Sequence, residues 1–148
     1  MNLESLYQEI ILNHYRNPNG KVSVVDAGKS VHHVNPNCGD EITLTVEFVD
    51  GKAHIEFVNT GCSISQASAS VMYDLCEGQN SSKIMEIEDG FLELMQSRGQ
   101  GIADDDLLGD AVAFVGVSQF PARIKCALLP YMALKDAVTR QTEGGTNE

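Results

Sequence analysis

The dipeptide Asp50-Gly51 constrains this chain more than any other feature. It separates two alternating runs, 44–49 and 52–57, and Asp-Gly is a preferred central pair of a type I′ turn, where both residues take positive φ and the turn's twist matches that of the flanking strands. A two-residue loop sets Val49 opposite Lys52, and the rest follows. Leu44 meets Phe57, Val46 meets Ile55 and Phe48 meets Ala53 on one face, while Thr45 meets Glu56 and Glu47 meets His54 on the other. One face is dry and the other wet, so the rest of the chain must cover the dry face. Continued past the strands, the same register sets Asp40 opposite Gly61 and Cys38 opposite Ser63. Cys38, Asp40 and Cys62 therefore emerge at one end of the hairpin.

The stretch Asn35-Pro36-Asn37-Cys38-Gly39-Asp40 is built to wrap rather than to pair. Pro36 confines Asn35 to extended conformations, and Gly39 tolerates positive φ. Alone, the hexapeptide reads as an ordinary loop with a free cysteine and a turn aspartate; convergence with Cys62 makes it a candidate metal or sulfur loop. After Cys62, Ser63 and Gln66 form a capping-box pattern and predict a helix whose buried stripe is Ile64, Ala67, Ser68, Val71, Met72 and Leu75. The positive end of that helix dipole favours a Cys62 thiolate. Cys76 borders the stripe and reads as a small core residue. His54 is accounted for by its cross-strand neighbour Glu47.

Elsewhere, Leu3, Leu6, Tyr7, Ile10, Ile11 and His14 recur at helical spacing until Asn17-Pro18-Asn19-Gly20, with His14 packed on the apolar stripe. The segment 22–34 reads as a strand entering the Cys38 loop, and of its adjacent His32 and His33 at most one faces the site. A helix is expected over 81–97, then a polar interruption over 99–109, in which Asp104-Asp105-Asp106 lacks the alternation of a calcium loop and instead caps a helix at Leu107. A last helix opens at Phe120-Pro121 and carries Arg123, Lys125 and Cys126. Pro130 cannot donate to the Cys126 carbonyl and is expected to kink or break the helix just after the cysteine. No local rule brings Cys126 to the hairpin.

A length of 148 residues, 43% hydrophobic, supports a single core. The expected domain is 1–141, followed by a disordered polar tail over 142–148. Ten basic against twenty-one acidic residues give a net charge of −11, which excludes nucleic acid as a natural partner and favours proteins or cations. There is no apolar run of membrane length, and Glu4 and Glu9 within the first helix are unlike a secretory leader, so no membrane association and a cytoplasmic location are expected. Four cysteines in such a chain read as thiols or metal ligands rather than disulfides.

The Cys38 hexapeptide, Gly61-Cys62-Ser63-Ile64-Ser65 and Arg123-Ile124-Lys125-Cys126, in that order and with Tyr15-Arg16-Asn17-Pro18 ending the first helix, resemble the IscU/NifU N-terminal family of iron-sulfur cluster assembly proteins over nearly the whole chain. The insertion over 99–109, and Lys125 where IscU proteins place a histidine, resemble its SufU-like branch. The segment 119–125 departs from the chaperone-recognition segment of IscU proteins. The resemblance implies an α+β fold, a three-stranded antiparallel sheet packed against several helices, and it brings Cys126 to Cys38, Asp40 and Cys62 as the fourth ligand. Three thiolates and a carboxylate suit zinc, with iron or an iron-sulfur cluster as a second class of occupant. A zinc site of that kind carries a formal charge of about −2, which makes Arg123 and Lys125 candidate compensators or partner contacts.

The implied function is that of a zinc-dependent sulfurtransferase, accepting persulfide sulfur from a SufS-type cysteine desulfurase and passing it to downstream iron-sulfur assembly proteins. Cys38 is the expected acceptor, because its loop is free to swing while Cys62 and Cys126 are held by helices. The alternative is a scaffold that assembles and delivers an iron-sulfur cluster. A purely structural zinc site ranks below both, since an aspartate ligand on a glycine loop suits exchange.

Overall fold

A computed structural model describes residues 2–102 and 105–146 of the protein. The Asp50-Gly51 turn forms as expected, with φ of 54° and 77°, and joins β2 (Asp40–Val49) to β3 (Lys52–Thr60). The pairing runs from Val49↔Lys52 through Leu44↔Phe57 to Glu41↔Thr60, which is the register set by a two-residue loop. β1 (Val31–Asn35) pairs antiparallel with the other edge of β2, giving the sheet order β1-β2-β3. Ile42, Leu44, Val46, Ala53, Ile55 and Phe57 line its buried face.

Helices cover that face. α1 (Leu3–Arg16) is capped by Asn2, whose side-chain oxygen accepts the Ser5 N–H at 2.8 Å. α2 (Ser63–Cys76) follows the hairpin, α3 (Ser81–Met95) comes next, and a 3-10 stretch over Asp105–Gln119 leads into α4 (Pro121–Thr146). α2 packs against α1 and α4, and α4 also crosses β1 and β2. His14, buried on α1, links three elements: its Nδ1 lies 2.7 Å from Ser70 Oγ on α2 and its Nε2 2.9 Å from Asp110 Oδ2 on the 3-10 stretch. Tyr131 of α4 stacks on Phe91 of α3 at 4.1 Å, and Phe114 meets the same Phe91 edge-on at 5.9 Å. Cys76 is fully buried in the core, and burial pushes its thiol far above the usual range, as befits a packing residue.

Several local expectations are corrected. The strand over 22–34 shrinks to Val31–Asn35, because Asp26 folds the chain back through bonds from Lys29 N–H to its carbonyl and from Gly28 N–H to its side chain. Upstream of that turn, Val22 N–H instead bonds the Phe57 carbonyl and covers part of the outer edge of β3. His54 finds Glu77 at 3.1 Å rather than Glu47, since Glu77 is drawn to that edge by the Ile55 N–H at 2.7 Å. The helix after Cys62 is not closed by a capping box: Cys62 itself is the N-cap residue, and the Gln66 side chain donates to the Gly61 carbonyl. Pro130 does not break α4, which runs on through it, with Leu129, Pro130 and Tyr131 all buried.

Gly109, with φ 48° and ψ −127°, divides the 3-10 stretch into two. Of the acidic run before it, Asp104 lies outside the described residues. α4 continues to Thr146, through the first part of the expected tail; residues 147 and 148 also lie outside.

Glu88, on the buried side of α3, has an Oε2 without a hydrogen-bond partner among the described residues. Burial pushes its carboxyl up to about 7, with the Lys135 charge opposing and the Asp89 charge adding to the rise. A carboxyl whose folded value is raised favours folding while protonated, and that contribution is lost as pH rises from the unfolded value near 4.5 through about 7. Glu88→Gln is therefore expected to raise Tm relative to the parent at pH 8, by an amount on the order of 2 kcal/mol in stability, and to change it little at pH 5. Thermal unfolding of both proteins at the two pH values checks this; an equal shift at both would contradict it.

Candidate metal centre

The hairpin ends where its register requires. Asp40 opens β2 opposite Asn35, the last residue of β1, and Gly61 follows β3 directly. Gly61 has φ 132°, and a Cβ there would collide with the Asp40 side chain and stand 2.7 Å from its Cα, so only glycine lets the two chain segments come this close. The turn from Asn35 to Cys38 is closed by the Cys38 N–H on the Asn35 carbonyl at 3.2 Å, and Gly39, with φ 67°, returns the chain into β2.

Asp40 is fully buried and joins the two loops. Its Oδ1 accepts the Cys62 N–H at 2.8 Å and its Oδ2 accepts an Asn35 side-chain N–H at 3.4 Å. Each carboxylate oxygen offers two acceptor sites, so these bonds orient the group without exhausting it. The same bond explains the cap of α2: Asp40 supplies the oxygen that satisfies Cys62 N–H, from outside the helix.

Cys126 arrives on α4, because α2 and α4 meet through small residues. Ser68 of α2 donates to the Ala127 carbonyl at 2.6 Å, with Ser65, Ala67 and Ala127 all buried. Cys126 Sγ then lies 3.2 Å from Cys38 Sγ, 3.5 Å from Asn35 Nδ2 and 3.6 Å from the Ala122 carbonyl. Burial, with hydrogen bonds to Cys38, Asp40 and Cys62, pushes the Cys126 thiol well above its usual range. Without a cation these groups favour a protonated sulfur; a coordinated dication reverses that and holds the thiol deprotonated.

The ligand atoms of Cys38, Asp40 and Cys126 all lie within 4.8 Å of one another. Zinc–sulfur bonds of about 2.3 Å give a tetrahedron with edges of about 3.8 Å, so this spacing fits a single small cation. Cys62 is half-buried and lies outside that group of three, but its thiol adds to the rise of the Cys126 thiol. Cys38 is exposed, whereas Asp40 and Cys126 are buried.

Residues 6–127 match the family described as the NifU-like N terminal domain. This chain belongs to that family. Its relatives include the zinc-dependent sulfurtransferase SufU of Bacillus subtilis (strain 168), 42% identical over 97% of this chain and 96% of that protein. The iron-sulfur cluster assembly scaffold protein IscU of Streptococcus pyogenes serotype M1 is 38% identical over 93% of this chain and 86% of its own length. A crystal structure of a putative SUF-system scaffold protein from Fervidobacterium islandicum AW-1 superposes with a TM-score of 0.78 at 30% identity, covering 92% of this chain and 98% of the other. The α+β fold of the family, a three-stranded antiparallel sheet under several helices, is the fold found here.

Other candidates fall outside the centre. His32 bonds Thr43 Oγ1 at 2.8 Å, and His33 bonds Asp136 Oδ2 at 2.8 Å, an interaction that, with Arg140, holds the Asp136 carboxyl below its usual range. Arg123 is exposed, with its guanidinium 4.8 Å from the centroid of the Phe120 ring and no described hydrogen bond or ion pair to the cysteines. Lys125 is likewise exposed. The sequence marks Asn35 only as the residue that Pro36 confines to extended conformations; its bonds to Asp40 and Cys126 have no local signal beyond a polar residue at the base of the loop.

Cys126→Ser is expected to lose bound metal after reconstitution with zinc, whereas Cys76→Ser keeps the full equivalent of the parent protein. Elemental analysis of the desalted variants decides: loss from Cys76→Ser alongside full retention by Cys126→Ser would remove Cys126 from the centre.

Proposed function

We propose that the protein is a zinc-dependent sulfurtransferase of iron-sulfur cluster assembly, with Cys38, Asp40, Cys62 and Cys126 as the metal ligands and Cys38 as the sulfur acceptor. The observation that carries this reading is the asymmetry of the centre: an exposed cysteine on a glycine loop beside a buried aspartate and a buried cysteine. Similarity to the sulfurtransferase SufU over almost the whole length of both chains supports it. Zinc would supply a dication that holds the thiols as thiolates and does no redox chemistry of its own.

The chain's residues then have distinct tasks. Asp40, fixed by Cys62 N–H and Asn35, anchors the hinge side of the loop. Cys62 stays in place at the start of α2 and Cys126 within α4, and Cys38 swings outward on Gly39 to react. In the transfer, the Cys38 thiolate attacks the outer sulfur of a persulfide on a SufS-type cysteine desulfurase. One sulfur–sulfur bond forms at Cys38, the donor's breaks, and the donor cysteine leaves as a thiolate, so no outside oxidant is needed. The outer sulfur, now carried on Cys38, is later given to downstream iron-sulfur assembly proteins, and Cys38 returns as a thiolate. Arg123 and Lys125, exposed at the start of α4, serve as contacts for these partners rather than as neighbours of the metal. The proposed location is the cytoplasm. Among the described residues no helix is long and apolar enough to cross a membrane.

A second reading, a scaffold on which an iron-sulfur cluster is built, is favoured by similarity to IscU of S. pyogenes. The two readings part on one preparation: zinc with stimulation of desulfurase turnover marks the sulfurtransferase, and a coloured cluster that survives purification marks the scaffold. Brief exposure to desulfurase and cysteine, immediate alkylation and peptide mass spectrometry are expected to place the first extra sulfur on Cys38. Its appearance first on Cys62, Cys76 or Cys126 would refute the assignment.

A further inference from the structure

Asn35 holds the base of the turn that carries Cys38. It pairs with Asp40 across β1 and β2, and its carbonyl accepts the Cys38 N–H. Its side chain turns inward, 7% exposed, and a single Nδ2 reaches both Asp40 Oδ2 at 3.4 Å and Cys126 Sγ at 3.5 Å. Chemistry fixes the orientation of this amide: its oxygen in the same place would face a carboxylate and a sulfur that are acceptors when ionised, so the two N–H groups must point there.

An N–H aimed at a thiolate stabilises its charge and withdraws electron density, leaving a better-held ligand and a weaker nucleophile. Among the described residues no N–H is aimed at the Cys38 sulfur. That sulfur touches the Cys126 sulfur, and the residue is open to solvent. The two residues bonded by the Asn35 side chain are the buried members of the centre, one at the start of β2 and one from α4. We infer that Asn35 is a positioning residue that makes the sulfurs of this centre unequal, holding Asp40 and Cys126 as the permanent pair and leaving Cys38 as the ligand that departs.

This assignment rests on the reading of Cys38 as the acceptor, but its test does not require the desulfurase. Cobalt(II), taken up in place of zinc, reports on the sulfurs through its sulfur-to-metal charge-transfer band. In Asn35→Ala that band should move to longer wavelength, because Cys126 regains electron density. In the zinc-loaded protein, iodoacetamide labelling followed by peptide mass spectrometry should show the Cys126-to-Cys38 labelling ratio rising by on the order of tenfold. Asn35→Asp, nearly the same shape but without the donor, should shift the band and the ratio in the same direction, and it decides the matter if Asn35→Ala does not fold by circular dichroism. A folded variant with the parent's band and the parent's labelling ratio would overturn the inference. If persulfide mapping placed the sulfur elsewhere while band and ratio still moved, the acceptor reading alone would fail.

Discussion

The carboxylate of Asp40, buried where the hairpin ends, is the point on which the candidate centre depends. It sits there because the Asp50-Gly51 turn leaves no slack: a slip of one residue would turn Leu44, Val46, Ile55 and Phe57 out of the core. With the register fixed, Asp40 lies against Gly61, and the N–H of Cys62, two residues past β3, falls on its oxygen. One bond thus ends the sheet, starts α2 and sets two candidate ligands side by side. A buried carboxylate beside sulfurs is costly unless a cation or donors compensate it. Here two donors orient it, and a carboxylate oxygen lies within 4.8 Å of the Cys38 and Cys126 sulfurs.

The second requirement is the close approach of α2 and α4. Bulky residues at positions 65, 68 and 127 would hold the helices apart; serine and alanine let the Ser68 hydroxyl reach the Ala127 carbonyl, one residue from Cys126. The sheet therefore positions Cys38 and Asp40, and helix packing positions Cys126. The loop between β1 and β2 carries the exposed sulfur, whereas Asp40 opens β2, Cys62 caps α2 and Cys126 lies within α4.

This division explains what could be read from the sequence. The hairpin register, the convergence of Cys38, Asp40 and Cys62, and the core role of Cys76 all follow from turn chemistry and periodicity, which act over short separations. Cys126 could be placed only by family resemblance, because its position comes from helix packing across the whole domain. The errors share a cause as well. His54 went to Glu77 because an unpaired N–H on the edge of β3 recruits that side chain, and the cap of α2 moved to Cys62 because Asp40 satisfies its N–H from another strand. Pro130 left α4 intact because tertiary burial on both sides outweighs one missing backbone bond.

The central claim is that a cation here is held by three sulfurs and one carboxylate oxygen, drawn from the end of a hairpin and one late helix. X-ray absorption at the zinc edge of the loaded protein tests it most directly. The account predicts a four-coordinate shell of three sulfurs at about 2.3 Å and one oxygen at about 2.0 Å. A shell dominated by nitrogen or oxygen, or one with fewer than three sulfurs, would contradict it.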